Sequence, residues 1–134
     1  MKVFVSYRFT GENKKELNEI LPEVCETLKS AGHDHYCSFF DSAQFEHEKW
    51  SGKKILQKAF SEIDISEVVL FFVRTSDVSQ GMLVELGYSL AKNKKIVLLI
   101  NNSVKDSIFR RQIEHVVEFD DMSDLKDKLV NLKL

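Results

Sequence analysis

Two unbroken apolar runs, Val68–Val73 and Ile96–Ile100, are the strongest pattern in this sequence. A strand that is apolar on both faces belongs in a sheet covered on both sides, which is typical of parallel α/β architecture. Shorter segments at Lys2–Ser6, His35–Phe40 and Val116–Phe119 are interpreted as three further strands. The pattern therefore predicts a sheet of five parallel strands.

Helical patterns alternate with these strands. Asn13–Ala31 places its apolar residues on one face, and Pro22 inside it predicts a kink or two helical pieces. Ser51 is expected to cap a second helix, and Gly81–Lys92 and Leu125–Leu132 are expected to form two more. Strands that alternate with helices in this way indicate crossover connections on both sides of the sheet.

The predicted fold is an α/β doubly wound sandwich of flavodoxin-like or Rossmann-like order, with residues 1–134 forming a single domain. Ligands of such sheets bind beyond the carboxyl ends of the strands. The loops Ser6–Glu12 and Arg74–Gln80, which follow the first and third strands, are therefore the expected walls of a site. The polar stretch Asp41–Trp50 is a candidate for a mobile flap.

Composition excludes several classes of function. The chain has 134 residues, 43% of them hydrophobic, and a formal net charge of −2. Basic residues are spread along it and no apolar run approaches the ~20 residues of a membrane span, so neither a nucleic-acid nor a membrane partner is expected. Cys25 and Cys37 stand in no spacing motif, which favours a reducing, cytoplasmic location.

Two motifs for other chemistry are incomplete. His33, His35 and Cys37 alternate along a predicted strand, so their side chains can share one face and bind zinc. No fourth ligand is near in sequence, and ordinary packing is expected. A phosphate loop ending at Gly52 requires a glycine where this chain has His47. We therefore predict no metal and no other cofactor.

One acidic residue, Glu85, lies near the start of the helix Gly81–Lys92, in a segment that is apolar on almost every other side. An ionised carboxylate is costly there unless it is paired, hydrogen-bonded or faces a cleft. A carboxylate held ionised in a half-apolar cleft suits nucleophilic attack on an anomeric carbon. The alternative is an ordinary first-turn acid whose head group lies in solvent.

Further candidates for substrate binding surround the same strand ends. Ser79 and the backbone of Gly81 can form a phosphate site at the helix N-terminus, although a plain N-cap explains Ser79 equally well. After the first strand, Ser6 is followed by Tyr7, which can stack on a base, and by Arg8, which can reach a phosphate.

The motif Ser79-x-Gly81-x-x-x-Glu85, continued by Leu-Gly-Tyr and an apolar strand, resembles the nucleoside 2-deoxyribosyltransferase family and its deoxynucleoside 5′-monophosphate N-glycosidases. The resemblance implies that Glu85 attacks C1′ of a nucleoside or nucleotide substrate and that Ser79 holds its 5′-phosphate. It also implies that a serine near Ser107 reaches a phosphate in a neighbouring subunit. A homodimer or larger homo-oligomer with shared sites is therefore expected.

Two positions depart from that family's pattern. Its second catalytic carboxylate falls on Ala59, and its first-strand tyrosine falls on Val3. Glycosidic cleavage usually uses two carboxyls, one of which protonates the leaving base. Four acidic residues are candidates to replace the missing acid: Asp41, Glu62, Asp64 and Asp77.

Two alternative functions remain open. The first strand and the spacing from Ser79 to Glu85 are also similar to TIR domains, which implies cleavage of NAD at the same glutamate. The continuation through Gly87 favours the transferase family. The other alternative is a non-catalytic nucleotide sensor that has lost the partner acid, which Ala59 favours. The identity of the base and sugar stays open, as does the choice between hydrolase and transferase.

Overall fold

The computed structural model describes residues 1–9, 13–77 and 79–134. Within these residues, five parallel strands form one sheet in the order β2-β1-β3-β4-β5, which confirms the flavodoxin-like prediction. The strands are β1 (Lys2–Ser6), β2 (Asp34–Tyr36), β3 (Val68–Val73), β4 (Lys95–Asn101) and β5 (Val116–Phe119).

Helices cover both faces of the sheet. They are α1 (Lys14–Ser30), α2 (Ser42–His47), α3 (Gly52–Ile65), α4 (Gln80–Ala91), α5 (Ile108–Gln112) and α6 (Met122–Val130). On one face, α1 and α6 pack on alternate strand residues such as Leu70. On the other face, α3, α4 and α5 pack on the intervening residues, such as Phe71. Two apolar cores therefore enclose the central strands, as their unbroken apolar sequence requires.

Helix α1 runs without interruption past Pro22, so the expectation of two helical pieces is wrong. A proline inside a helix removes one backbone hydrogen bond, here the bond to the carbonyl of Asn18. The buried apolar face that includes Leu21 and Val24 holds the helix on the sheet. Burial of that face outweighs the loss of one hydrogen bond, because each fully buried side chain contributes about 1.5–3 kcal/mol.

The second strand is shorter than predicted. It ends at Tyr36, and Ser38–Asp41 forms a 3₁₀ helix that leads into α2, so the strand expected at His35–Phe40 is wrong beyond Tyr36. The polar stretch that was expected to form a flap contains α2. The ring of Phe45 in this helix packs on that of Trp50, with 4.7 Å between the ring centroids. The turn brings the residues after β2 towards the end of β1.

Other boundaries differ by a few residues. Helix α4 begins one residue earlier than predicted, α6 begins three residues earlier, and the short helix α5 was not predicted. Of the two loops expected as site walls, residues 10–12 and 78 lie outside the described residues. In the described part of the chain, no helix combines the length and apolar character needed to cross a bilayer.

The packing of β3 predicts a large stability loss on truncation of a core side chain. Leu70 is 0% exposed, and we expect Leu70→Ala to lower the free energy of unfolding by about 2–5 kcal/mol because it leaves a cavity. Leu90→Ala, at a position 43% exposed, is the matched control and should change it by less than about 0.5 kcal/mol. Urea denaturation measures both, and equal losses would contradict this packing.

Candidate active site

A cavity of about 200 Å³ lies at the carboxyl ends of β1 and β2, between α3 and the first turns of α4. In a sheet of this order, successive strands are added on opposite sides of β1, so the strand order switches between β1 and β3, and ligands bind in the crevice beyond that point. The cavity contains five of the predicted site residues: Ser6, Tyr7, Ser79, Gly81 and Glu85. The fold therefore brings together two segments that are far apart in sequence.

A short hydrogen bond joins Glu85 to Ser6. The Ser6 hydroxyl donates to Glu85 Oε1 at 2.6 Å, across a sequence separation of 79 residues. Ser6 is 1% exposed at the end of β1, whereas Glu85 is partly exposed on α4. This partnership satisfies a carboxyl group that the apolar start of α4 would otherwise leave without a hydrogen bond.

Two effects act in opposite directions on the acidity of Glu85. Burial penalises the charged form and raises the pKa of Glu85 to about 7, while the hydrogen bond from Ser6 lowers it. The sequence favoured a Glu85 side chain that is held ionised, whereas a pKa of about 7 leaves it partly protonated near neutral pH. Such a carboxyl can act as a nucleophile when ionised and can hold a proton when neutral.

Helix α4 begins directly at the cavity. Ser79 is its N-cap and its hydroxyl accepts a hydrogen bond from the backbone N–H of Met82 at 3.4 Å. The N–H groups of a helix's first turn have no carbonyl partner within the helix and favour an anion. Ser79 therefore has the capping role, and its hydroxyl proton remains available for a phosphate oxygen.

Two tyrosines contribute aromatic surface to the cavity. The Tyr36 hydroxyl donates to Asp41 Oδ2 at 2.8 Å, and burial, followed by this bond, raises the pKa of Tyr36 well above its usual range. Burial likewise raises the pKa of Tyr7, and a hydrogen bond with Ser38 opposes that effect. The sequence analysis missed Tyr36 and Ser38, although β2 lies next to β1 in the flavodoxin-like order and its end was a place to search.

Two of the predicted substrate-binding residues lie elsewhere. Arg8 forms an ion pair with Asp77 at 3.5 Å and lines a small cavity of about 10 Å³ that shares Tyr7 and Met82 with the cavity around Glu85. Ser107 is the N-cap of α5, where its hydroxyl accepts from the N–H of Phe109 at 3.2 Å. Neither is among the described residues that line the cavity around Glu85. Their roles with a phosphate stay predictions.

Ala59 lies in the wall of the cavity and is 6% exposed, so this wall presents a methyl group where the family resemblance implies a carboxylate. Of the four candidate replacement acids, Asp41 contacts a cavity residue, Tyr36. The other three have partners elsewhere: Glu62 with Lys2 and Lys58, Asp64 with Tyr88, and Asp77 with Arg8. The described residues contain no group of three or more His, Cys, Asp or Glu side chains that could hold a metal ion.

The raised pKa of Glu85 predicts a pH-dependent stability difference. The unfolded carboxyl titrates near 4.5 and the folded one near 7, so its stabilising contribution is complete below pH 4.5 and is lost as pH rises through 7. The glutamine side chain of the Glu85→Gln variant does not titrate, so the variant escapes this loss. We expect the free energy of unfolding of Glu85→Gln, relative to that of wild type, to be higher at pH 8 than at pH 5 by on the order of 1–3 kcal/mol. Urea unfolding at both pH values measures this, with the exposed Glu19→Gln as control. A constant difference would contradict the raised pKa.

Two solved enzyme structures share the fold of this chain. The chain superposes on the CMP N-glycosidase BcmB of Clostridium botulinum with a TM-score of 0.70 and 18% identity, covering 96% of this chain and 98% of that one. It superposes on a 2-deoxyribosyltransferase of Bacillus psychrosaccharolyticus with a TM-score of 0.69 and 16% identity, covering 95% and 91%. At these identities the likeness concerns the fold alone.

Sequence comparison supplies the stronger result. No curated protein matches the chain. The model of the family described as nucleoside 2-deoxyribosyltransferase, however, matches residues 6–131, which is almost the whole chain and includes both Ser6 and Glu85. The chain therefore belongs to the nucleoside 2-deoxyribosyltransferase family of enzymes.

Proposed function

We propose that this protein cleaves the N-glycosidic bond of a nucleoside or nucleoside 5′-monophosphate, with Glu85 as the nucleophile. The observation that carries the proposal is the hydrogen-bonded pair of Ser6 and Glu85 at a cavity beyond the strand ends. Membership of the family supports the class of reaction. The CMP N-glycosidase and the 2-deoxyribosyltransferase that share the fold are enzymes of the same kind of chemistry.

In the proposed mechanism, ionised Glu85 attacks C1′ and displaces the base, forming a glycosyl ester. The hydroxyl of Ser6 donates to one carboxylate oxygen and thereby orients the other towards the sugar. Water then attacks C1′ and releases the sugar, or a second base attacks and is transferred. Two displacements at C1′ give overall retention of configuration.

Substrate binding is proposed to use the other walls of the cavity. The hydroxyl of Ser79 and the backbone N–H groups near Gly81 bind the 5′-phosphate, because the start of α4 attracts negative charge. The ring of Tyr7 packs against the base. A homodimer, a contribution from Ser107 of a neighbouring subunit and a cytoplasmic location remain predictions.

A second candidate function is a nucleotide sensor without turnover. Ala59 favours it, since the cavity wall carries a methyl group where a proton donor would assist the departure of the base. A sensor is stabilised by ligand according to RT ln(1 + [L]/Kd) and releases no base. A thermal shift with CMP, together with an assay for free cytosine, distinguishes the two functions.

Removal of the proposed nucleophile tests the reaction. We expect wild type to release free base from at least one of a panel of nucleoside and deoxynucleoside monophosphates and nicotinamide nucleotides. Glu85→Gln should lower kcat by at least ~10³-fold, because the covalent step is lost. Chromatography of the products measures this, with Glu19→Gln as the matched control on an exposed face of α1. Turnover by Glu85→Gln at the wild-type rate would refute the mechanism.

The phosphate site is tested by Ser79→Ala. We expect KM for the 5′-monophosphate to rise about 10–150-fold, since one hydrogen bond to a charged group contributes about 1.5–3 kcal/mol, with KM for the nucleoside unchanged. Ser51→Ala is the control, because Ser51 caps α3 in the same way with a 3.1 Å bond from the N–H of Lys54. Both variants lose about 0.5–2 kcal/mol of stability, and only Ser79→Ala should alter the ratio of KM values.

A further inference from the structure

The wall of the cavity is negative when Glu85 is ionised. Among the described residues that line it, Glu85 has the only carboxyl, amino or guanidinium side chain, and the rings of Tyr7, Phe9 and Tyr36 contribute aromatic surface. Lys14 and Lys58 lie 5.4 Å from the ring centroids of Phe9 and Tyr36, whereas no lysine among the described residues lies over the ring of Tyr7. The electron-rich faces of such rings attract cations, and a carboxylate attracts them further. The ionised carboxylate of Glu85 and the ring of Tyr7 therefore complement a planar group of positive charge better than a neutral one.

The hydroxyl groups of the cavity are weak acids, and two of them already donate their protons to carboxylates. The Ser6 proton is donated to Glu85 and the Tyr36 proton is donated to Asp41. Tyrosine hydroxyls in this cavity also have raised pKa values, which weakens them as acids. Ala59 contributes only a methyl group. A neutral base that leaves from C1′ requires a proton, whereas a base that is already cationic departs as a neutral molecule.

We propose that the preferred substrates are nucleotides whose base carries a positive charge at the ring attached to C1′, such as a pyridinium or an N-alkylated purinium. This inference rests on the proposed function and specifies its substrate class. The observations that carry it are the single carboxylate of the cavity, its aromatic walls and the methyl group of Ala59.

The reaction balances without an acid. Glu85 forms a bond to C1′, and the electron pair of the breaking C1′–N bond passes to the ring nitrogen and cancels its charge. Water then adds to C1′, the ester bond to Glu85 breaks, and the proton of water passes to solvent. Each cationic substrate therefore yields neutral base, sugar phosphate and one proton. A neutral base would instead retain that proton.

Space for the base is available next to the cavity. An adjoining cavity of about 770 Å³ shares the walls formed by Tyr7, Phe9, Ser38 and Ile55. Binding sites of small ligands usually measure about 300–1,000 Å³, so the 200 Å³ cavity holds the sugar and the base lies at the wall shared by both cavities, against Tyr7. The charged residues of the adjoining cavity, Lys14 and Glu46, have opposite signs. Because these two charges oppose each other, the net negative charge of the two cavities lies at Glu85.

The test compares nicotinamide mononucleotide, a pyridinium, with UMP, which is neutral and also a ribose 5′-monophosphate. We measure kcat/KM for release of base at pH 7.5 and divide each value by the spontaneous rate of hydrolysis. A general acid contributes about 10²–10⁴-fold, so we expect the corrected preference for nicotinamide mononucleotide to be at least ~100-fold. One proton should be released per nicotinamide in weakly buffered solution.

A variant of the cavity wall tests the reason for the preference. Ala59→Asp, which supplies a carboxyl, should raise kcat/KM for UMP at least ~10-fold and narrow the preference. Ala59→Asn, which has the same shape and no acidic proton, is the control and should retain the wild-type ratio. If Ala59→Asp does not fold, the wild-type comparison decides the proposal alone.

The outcomes separate the two proposals. Glu85-dependent cleavage of UMP as fast as that of nicotinamide mononucleotide would overturn the substrate class and leave the proposed function intact. Release of base from neither these substrates nor the deoxynucleoside monophosphates would overturn the proposed function itself. The ratio of kcat/KM for nicotinamide mononucleotide to that for UMP should respond to Ala59→Asp only. If Ala59→Asn changes this ratio by the same factor, shape and not acidity sets the preference, and the inference is also overturned.

Discussion

Burial of β3 and β4 on both faces is the constraint on which the rest of this structure depends. Their side chains are apolar along nearly their whole length, so helices must cover the sheet on each side. Polar groups that act on a ligand then have no place on the sheet faces. They collect where the strands end, and Ser6 meets Glu85 at that edge because parallel strands present the same end to one side.

The chemistry of the cavity follows from two opposing effects on one carboxyl. Burial raises the pKa of Glu85, and the hydrogen bond from the hydroxyl of Ser6 opposes the rise. A fully solvated glutamate is weakly nucleophilic, and a fully dehydrated one stays protonated. This balance leaves a group whose pKa of about 7 lies near neutral pH.

The end of β2 and the turn after it add side chains to the wall of the cavity. Because β2 stops at Tyr36 and Ser38–Asp41 forms a 3₁₀ helix, Tyr36 and Ser38 line the cavity, and the Tyr36 hydroxyl is held by Asp41. A strand that continued to Phe40, as the sequence indicated, would extend the chain away from Tyr36, whereas the 3₁₀ helix turns it and brings Asp41 within hydrogen-bond distance of Tyr36. The hydrogen bond that holds the Tyr36 hydroxyl therefore depends on an irregular segment whose sequence pattern resembles a strand.

The sequence alone determined the parallel sheet, its strand order and the position of Glu85 on the helix after β3, because these depend on patterns of neighbouring residues and on one motif. It also indicated Ser6, Tyr7, Ser79 and Gly81 as parts of one cavity. Only the tertiary structure decided that Ser6 donates to Glu85, that Tyr36 and Ala59 line the same cavity, and that Arg8 faces Asp77 outside it. Contacts between distant segments depend on three-dimensional packing and burial, which no local pattern of residues encodes.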